Sequence, residues 1–261
     1  MLRLTLAFHD VTFERAADYS GFTGPSAAHY KLTPEAFEAH LEEIARAGLE
    51  PSLVDDPTPG DLQLHLSFDD GGRSALDQVA PELERRGWPG HFFITTGELN
   101  RPAFLASSSL AELRGLGHLV GSHAHSHRPL TRLPDRELRE ELRRSKAILE
   151  EHLEEPVDAL SAPGGFCSAR VVRTVAEEGY LHLFTSDPRL RPRQRGNLTL
   201  YGRFAIVSGQ APADTAALCR LGAEIWKRRA SWAARNSARR TLGPLYAQAR
   251  EAMFARKAGR S

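Results

Sequence analysis

The stretch that most constrains this chain is residues 62–72, LQLHLSFDDGG. Apolar and polar residues alternate from Leu62 to Phe68, the two-residue period of a strand. The strand runs into Asp69 and Asp70, and Gly71 and Gly72 break it. Adjacent carboxylates raise each other's pKa, and a bound cation is the usual remedy. A matching partner lies downstream at residues 121–130, GSHAHSHRPL. His123 and His127 are four apart and on one turn of helix would share a face. One carboxylate with two such imidazoles makes a divalent-metal triad with an open coordination position. The other carboxylate is then free to take a proton from activated water. His125 lies between the pair and is expected on the pocket wall rather than among the ligands.

The rest of the chain alternates strand and helix patterns. Strands are predicted at Leu2–Phe8, Leu62–Phe68, His91–Thr95, Leu119–Val120, Val157–Leu160, Leu181–Thr185 and Phe204–Val207. Helices are predicted after Thr33-Pro34, where Phe37, Leu41 and Ile44 share one face, and at Ser74–Arg86, Leu110–Leu116 and Arg136–Leu153. Two more follow, one capped by Ser168 and ended by Gly179, the other starting at Ala213. At least six alternations predict a parallel α/β architecture. In an α/β barrel, functional residues sit at the C-terminal ends of the strands. His9, Asp69-Asp70, the histidine cluster, Pro163-Gly164-Gly165 and Asp187 all follow predicted strands, so one pocket is expected to hold them. A chain of 261 residues suits a single barrel. The expected division is residues 1–222 as the barrel domain and 223–261 as a basic, amphipathic helical tail.

Charge supports that division. The formal net charge of +1 hides ten Lys and Arg against two acidic residues in 223–261, which leaves 24 basic and 31 acidic residues elsewhere. In the tail Trp226, Trp232, Leu242, Leu245, Tyr246 and Phe254 are interleaved with basic residues. The expectation is a helix packed on the barrel, with its basic face open to contact with an anionic membrane surface. Nothing in the pattern supports a nucleic-acid partner. The start of the chain reads as a strand rather than a secretory signal, and no stretch reaches membrane-spanning length. Cys167 and Cys219 imply no disulfide framework. A cytoplasmic location is expected, with peripheral contact at the inner membrane face.

FDDGG followed by GSHAHSHRPL resembles the polysaccharide deacetylases, the NodB-homology proteins of carbohydrate esterase family 4. Their signature of (T/S)FDD, H(S/T)xxH and a Pro-Gly segment has counterparts at Ser67–Asp70, His123–His127 and Ala162–Gly165. LERRGWPGHFFITTG, LGHLVGSH and LREELRRSKAILEEHL extend the similarity from about Leu64 to Asp187. The resemblance implies a distorted (β/α)7-type barrel and hydrolysis of acetyl groups on a sugar. It also implies a divalent metal, zinc first, with cobalt, nickel, iron and manganese as alternatives. Carried over residue by residue, Asp69 is the catalytic base and Asp70, His123 and His127 bind the metal.

Two departures stand out. The Arg that opens the family's Pro-Gly motif is replaced by Ser161 or Ala162, and the late Leu-x-x-His has no counterpart after Asp187. His9, at the end of the first strand, is the candidate substitute for the general acid. Arg203 is the candidate for the missing Arg. Pro163, Gly164, Gly165, His125 and Arg203 are expected to contact substrate. The expected reaction is N-deacetylation of an acetylated glycan. O-deacetylation at the same site and an inactive carbohydrate-binding relative are the alternatives.

Overall fold

The computed structural model describes residues 1–13, 18–56 and 60–242. Its strands are β1 Leu2–Phe8, β2 Leu62–Phe68, β3 His91–Ile94, β4 Leu119–Ser122, β5 Ala159–Ser161, β6 His182–Thr185, β7 Arg193–Arg195, β8 Leu198–Gly202 and β9 Phe204–Ala205. Its helices are α1 Pro25–Ala28, α2 Pro34–Arg46, α3 Ala80–Glu84, α4 Ser109–Gly115, α5 Asp135–Leu153, α6 Ala169–Glu177, α7 Pro212–Cys219 and α8 Ala223–Leu242.

The strands form one sheet in the order β7-β8-β6-β5-β4-β3-β2-β1-β9, parallel throughout except for β7 against β8. Only Arg203 separates β8 from β9, yet β8 pairs with β6 and β9 pairs with β1. The chain itself therefore joins the two ends of the parallel sheet. β1 to β6 and the β8–β9 run make a curled barrel of seven parallel positions, as expected for the distorted (β/α)7 architecture. β1 and β2 pair level, from Leu2↔Leu62 to Phe8↔Phe68. Their next residues, His9 and Asp69, therefore leave the sheet side by side.

The alternation in β2 sorts two buried layers. Leu64, Leu66 and Phe68 join Leu4, Leu6 and Phe8 of β1 in the core that packs on Phe37, Leu41 and Ile44 of α2. Full burial of each such side chain stabilises the fold by roughly 1.5–3 kcal/mol. The alternate residues face the barrel interior, where polar side chains mix with a small aromatic cluster of Phe93, Phe184 and Tyr201. There His65 Nδ1 meets Thr5 Oγ1 at 3.3 Å, and the His65 ring packs 5.3 Å from His91 and 5.8 Å from Tyr201. Burial lowers the pKa of His65 and His91, so both are neutral members of this interior. His182, expected inside a strand, is buried at the start of β6, with Nδ1 3.2 Å from the Tyr201 hydroxyl. Phe92 is core and Trp88 packs against it. Both cysteines are free, Cys219 buried and Cys167 partly so.

Local signals set most helix ends. Thr33 Oγ1 accepts from Ala36 N at 3.2 Å and Pro34 opens α2. Ser168 Oγ accepts from Val171 N at the start of α6. The predicted helix over Ser74–Arg86 differs from the structure. It begins as a π-helical turn at Ala75–Val79 and becomes α-helical only at Ala80–Glu84. Pro81 has no N–H to return to residue 77, which disfavours a regular α-helix through this turn. Two features depart from the predicted pattern: β7 folds back on β8 as a local antiparallel hairpin across Gly196-Asn197, and β8 and β9 split because their partners, β6 and β1, are remote from each other in sequence. α8 buries Ile225 and leaves Trp226 66% exposed. Leu245, Tyr246 and Phe254 lie outside the described residues. Among the described residues no helix is long and apolar enough to cross a membrane.

Candidate metal and catalytic site

Asp69 and Asp70 are adjacent, so a regular strand would send their side chains to opposite faces. The backbone prevents this. Asp70 has φ 79° and Gly71 φ 78°, so the chain turns left-handed just as the strand ends. Asp69 keeps the inward side of His65 and Ser67, and the turn at Asp70 brings the second carboxylate to the same pocket. Both are buried, with Asp69 6% and Asp70 7% exposed.

The two carboxylates face different partners. Asp69 Oδ1 accepts from Arg203 Nη1 at 2.7 Å. The guanidinium also donates to Ser67 Oγ and to the carbonyl of Thr185, each at 3.4 Å. Burial opposes ionisation of Asp69, but Arg203 and then His123 outweigh it and hold its carboxyl far below the usual range. Asp70 Oδ1 lies 3.5 Å from His123 Nε2 and 3.2 Å from His127 Nε2. This oxygen is buried and, among the described residues, meets no donor in hydrogen-bond geometry. Ligand atoms 2.0–2.1 Å from a tetrahedral zinc stand roughly 3.3 Å from one another, so both spacings suit a shared cation. The donor set of one carboxylate oxygen and two imidazole nitrogens fits zinc and its borderline neighbours.

His123 is prepared for that role. Its Nδ1–H donates to the carbonyl of Ser161 at 2.8 Å, so the Nε2 lone pair faces Asp70. Burial lowers its pKa to about 4, which keeps the ring neutral. The sequence expectation of a shared helical turn for His123 and His127 is corrected here. The segment is a loop, with Ala124 at φ 61° and His127 at φ 58°. Left-handed residues cannot propagate an α-helix. The loop is clamped by Glu141 of α5, which accepts from His125 N, Ser126 N and Ser126 Oγ at 3.0, 2.8 and 2.6 Å. The two imidazoles still meet, with ring centroids 5.1 Å apart. Phe22 stacks on His127 at 4.3 Å. His127 is the solvent-facing member of the trio, its side chain 32% exposed.

The other sequence candidates fall as follows. His9 is partly exposed beside the Tyr30 ring, its Nδ1 has no hydrogen-bond partner among the described residues, and it lies close enough to act electrostatically on both Asp69 and Asp70. His125 turns away from the trio, and its Nδ1 lies 3.0 Å from Thr96 Oγ1. Pro163-Gly164-Gly165 forms a short 3-10 turn after β5. The glycines there were expected to let backbone approach a sugar, but the close approach is internal. A Cβ on Gly165 would stand 2.3 Å from Ser186 Oγ, whereas one on Gly164 meets nothing within 4 Å. Arg203, expected as a substitute for the missing Arg, occupies the junction of β8 and β9 and reaches Asp69 from there. Asp10, Glu141 and the Ser161 carbonyl were not singled out by sequence reasoning. Only Asp10 carried a signal, its place after a strand beside His9. A cavity of about 670 Å³ lined by Cys167, Val172, Arg173, Arg193 and Arg195 flanks α6, and none of the trio lines it.

A barrel that gathers a carboxylate–bis-histidine cluster and a second, arginine-held carboxylate at the C-terminal ends of its strands defines a hydrolase-type site. Residues 56–182, just under half of the chain, match the model of the polysaccharide deacetylase family. No curated protein matches the chain. Its fold is similar to IcaB from Ammonifex degensii, at 21% identity over 84% of this chain and 97% of that one, TM-score 0.69. It is similar to the Streptococcus pyogenes deacetylase PplD in complex with acetate, at 17% identity over 82% and 96%, TM-score 0.69. It is also similar to a polysaccharide deacetylase from Bacillus cereus, at 20% identity over 84% and 69%, TM-score 0.71. At these identities the likeness establishes the fold.

Proposed function

We propose that the chain is a metal-dependent deacetylase that removes N-acetyl groups from sugars of a glycan. The observation that carries this reading is the division of labour between two adjacent buried carboxylates, Asp70 facing two imidazoles and Asp69 facing Arg203. A divalent cation held by Asp70, His123 and His127, zinc first, would supply Lewis-acid polarisation of an acetyl carbonyl and acidify water. Arg203 occupies Oδ1 of Asp69, which leaves Oδ2 to accept the proton of the attacking water. Arg203 also keeps that carboxylate ionised at neutral pH. Burial keeps His123 neutral, and its Nδ1–H donates to the Ser161 carbonyl, which leaves Nε2 as the nitrogen that faces Asp70. His9, which leaves the sheet beside Asp69, donates a proton to the departing nitrogen. An amine is a poor leaving group until protonated, so an acid at this point favours amide over ester hydrolysis. The relative PplD was solved with acetate, the acid that such a reaction releases.

Acetate release from N-acetylglucosamine oligomers by zinc- or cobalt-loaded protein tests the reading, with Asp69→Asn beside it. The expected result is wild-type turnover and a loss of about 10²–10⁴-fold in Asp69→Asn, with the metal retained. Turnover of O-acetylated but not N-acetylated glycans by the same preparation would overturn the amide assignment.

The basic face of α8, with Trp226 exposed and Arg229 stacked on it at 5.2 Å, supports peripheral contact with anionic lipid on the cytoplasmic side of a membrane. Sedimentation with anionic liposomes, unchanged on deletion of residues 223–261, would sink that part.

A further inference from the structure

Asp10 follows His9 at the end of β1 and is 3% exposed. Its Oδ1 accepts from Ser20 Oγ at 2.5 Å and from Ser74 Oγ at 3.0 Å. Those hydroxyls are themselves fixed: Ser20 Oγ accepts from Ser74 N at 2.8 Å, and Ser74 Oγ accepts from Val11 N at 3.1 Å. Lys31 Nζ donates to the Ser20 carbonyl at 2.6 Å, and its charge acts on Asp10. Two glycines provide the slot for the carboxylate. A Cβ on Gly72 would stand 1.9 Å from Oδ1, and one on Gly21 would stand 1.9 Å from Oδ2. The network therefore ties the end of β1 and the segment around Ser20 to the residues that follow Asp69-Asp70.

Asp70 and Gly71 hold consecutive left-handed conformations. Such a conformation persists at a non-glycine residue only where its surroundings over-determine it. Just beyond Asp70 and Gly71, Gly72 packs directly against the Asp10 carboxylate and Ser74 is hydrogen-bonded to it. We propose that Asp10 is a positioning residue of the cation site, anchoring Gly72 and Ser74 so that the turn at Asp70 aims its carboxylate at His123 and His127. The inference rests on the reading of Asp70, His123 and His127 as cation ligands. Burial and the charge of Asp70 both push the Asp10 carboxyl above its usual range, which is consistent with the two lying close together.

The test is cobalt binding to the full chain, read by chelator competition and by the visible d–d bands. The variants are Asp10→Asn, Ser74→Ala and Asp70→Asn, with far-UV circular dichroism as the check on folding. Asp10→Asn is expected to fold and to bind cobalt about 10–100-fold more weakly, with altered bands. Ser74→Ala, which removes one hydrogen bond to Asp10, is expected to show a smaller loss in the same direction. Wild-type affinity and unchanged bands in Asp10→Asn would overturn the proposal. Should that variant not fold, wild-type affinity in Ser74→Ala overturns it instead. Asp70→Asn separates the two levels: undiminished binding there would mean that the cation reading itself has failed.

Discussion

Replacing Arg203 by methionine leaves Asp69 as a buried anion with no cation against it. In the native protein the pair is closed at 2.7 Å, and both side chains are 4% exposed. For charge centres roughly 4 Å apart at an effective dielectric constant of 20, the attraction is about 4 kcal/mol. Removing one partner of a buried pair costs a similar 3–5 kcal/mol, because the remaining charge stays desolvated. A single-domain protein is stable by only about 5–15 kcal/mol, so the loss is large. The expectation is that Arg203→Met lowers the unfolding free energy of metal-free protein at pH 7 by about 3–5 kcal/mol. Arg203→Met/Asp69→Asn should recover a substantial part of it. The pH dependence follows from the depressed pKa of Asp69. A carboxyl with a folded-state pKa below its unfolded value contributes stability above the unfolded pKa and loses it as pH falls through the folded one. In Arg203→Met the largest opposition to burial is gone and the Asp69 pKa rises, so the gap between variant and wild type should narrow as pH falls through the variant's raised pKa and continue to shrink toward the depressed wild-type one. The acid limb of kcat/KM should also move to higher pH as Asp69 becomes easier to protonate. Urea unfolding at several pH values and a pH–rate profile measure both. A stability loss under about 1 kcal/mol, of the size an exposed pair gives, together with an unmoved acid limb, would refute the reasoning.

Three further outcomes are expected. His9→Gln should depress hydrolysis of an N-acetyl amide by about 10²–10⁴-fold while sparing an activated acetate ester, which needs no acid; equal losses on both substrates, measured side by side, would count against its role as proton donor. Glu141→Ala removes the acceptor shared by His125 N, Ser126 N and Ser126 Oγ. Because Ser126 is exposed and water can replace part of the clamp, the cost should be about 1 kcal/mol in urea unfolding, with weaker zinc binding by titration as the loop relaxes. Gly165→Ala should destabilise the protein more than Gly164→Ala: both positions have positive φ, costing about 1–2 kcal/mol, but only at Gly165 would the new Cβ stand 2.3 Å from Ser186 Oγ. Comparing their unfolding midpoints checks the difference.

Local periodicity and local chemistry control the part of the molecule that is legible along the chain. The alternation from Leu62 to Phe68 specifies a strand because a two-residue period can bury Leu64, Leu66 and Phe68 under helices while His65 and Ser67 line the interior. Thr33-Pro34 and Ser168 set helix starts because capping involves atoms only a few residues away. Asp69-Asp70 and His123-x3-His127 stand out as chemistry because such groups are costly to gather without a use, and their motifs match a known family over residues 56–182. Tertiary structure decided how those groups face one another. Arg203 reaches Asp69 across 134 residues only because the β8–β9 run leaves β6 and joins β1, with Arg203 at the crossover. His123 and His127 meet through a loop with left-handed residues at 124 and 127, held by Glu141 on a neighbouring helix, where a helical period would have suggested another route. Asp10 meets Ser74 across 64 residues in a slot between two glycines. A pattern along the chain records which residues share a face of one element. Which elements then meet depends on closure of the whole barrel, and no local stretch carries that information.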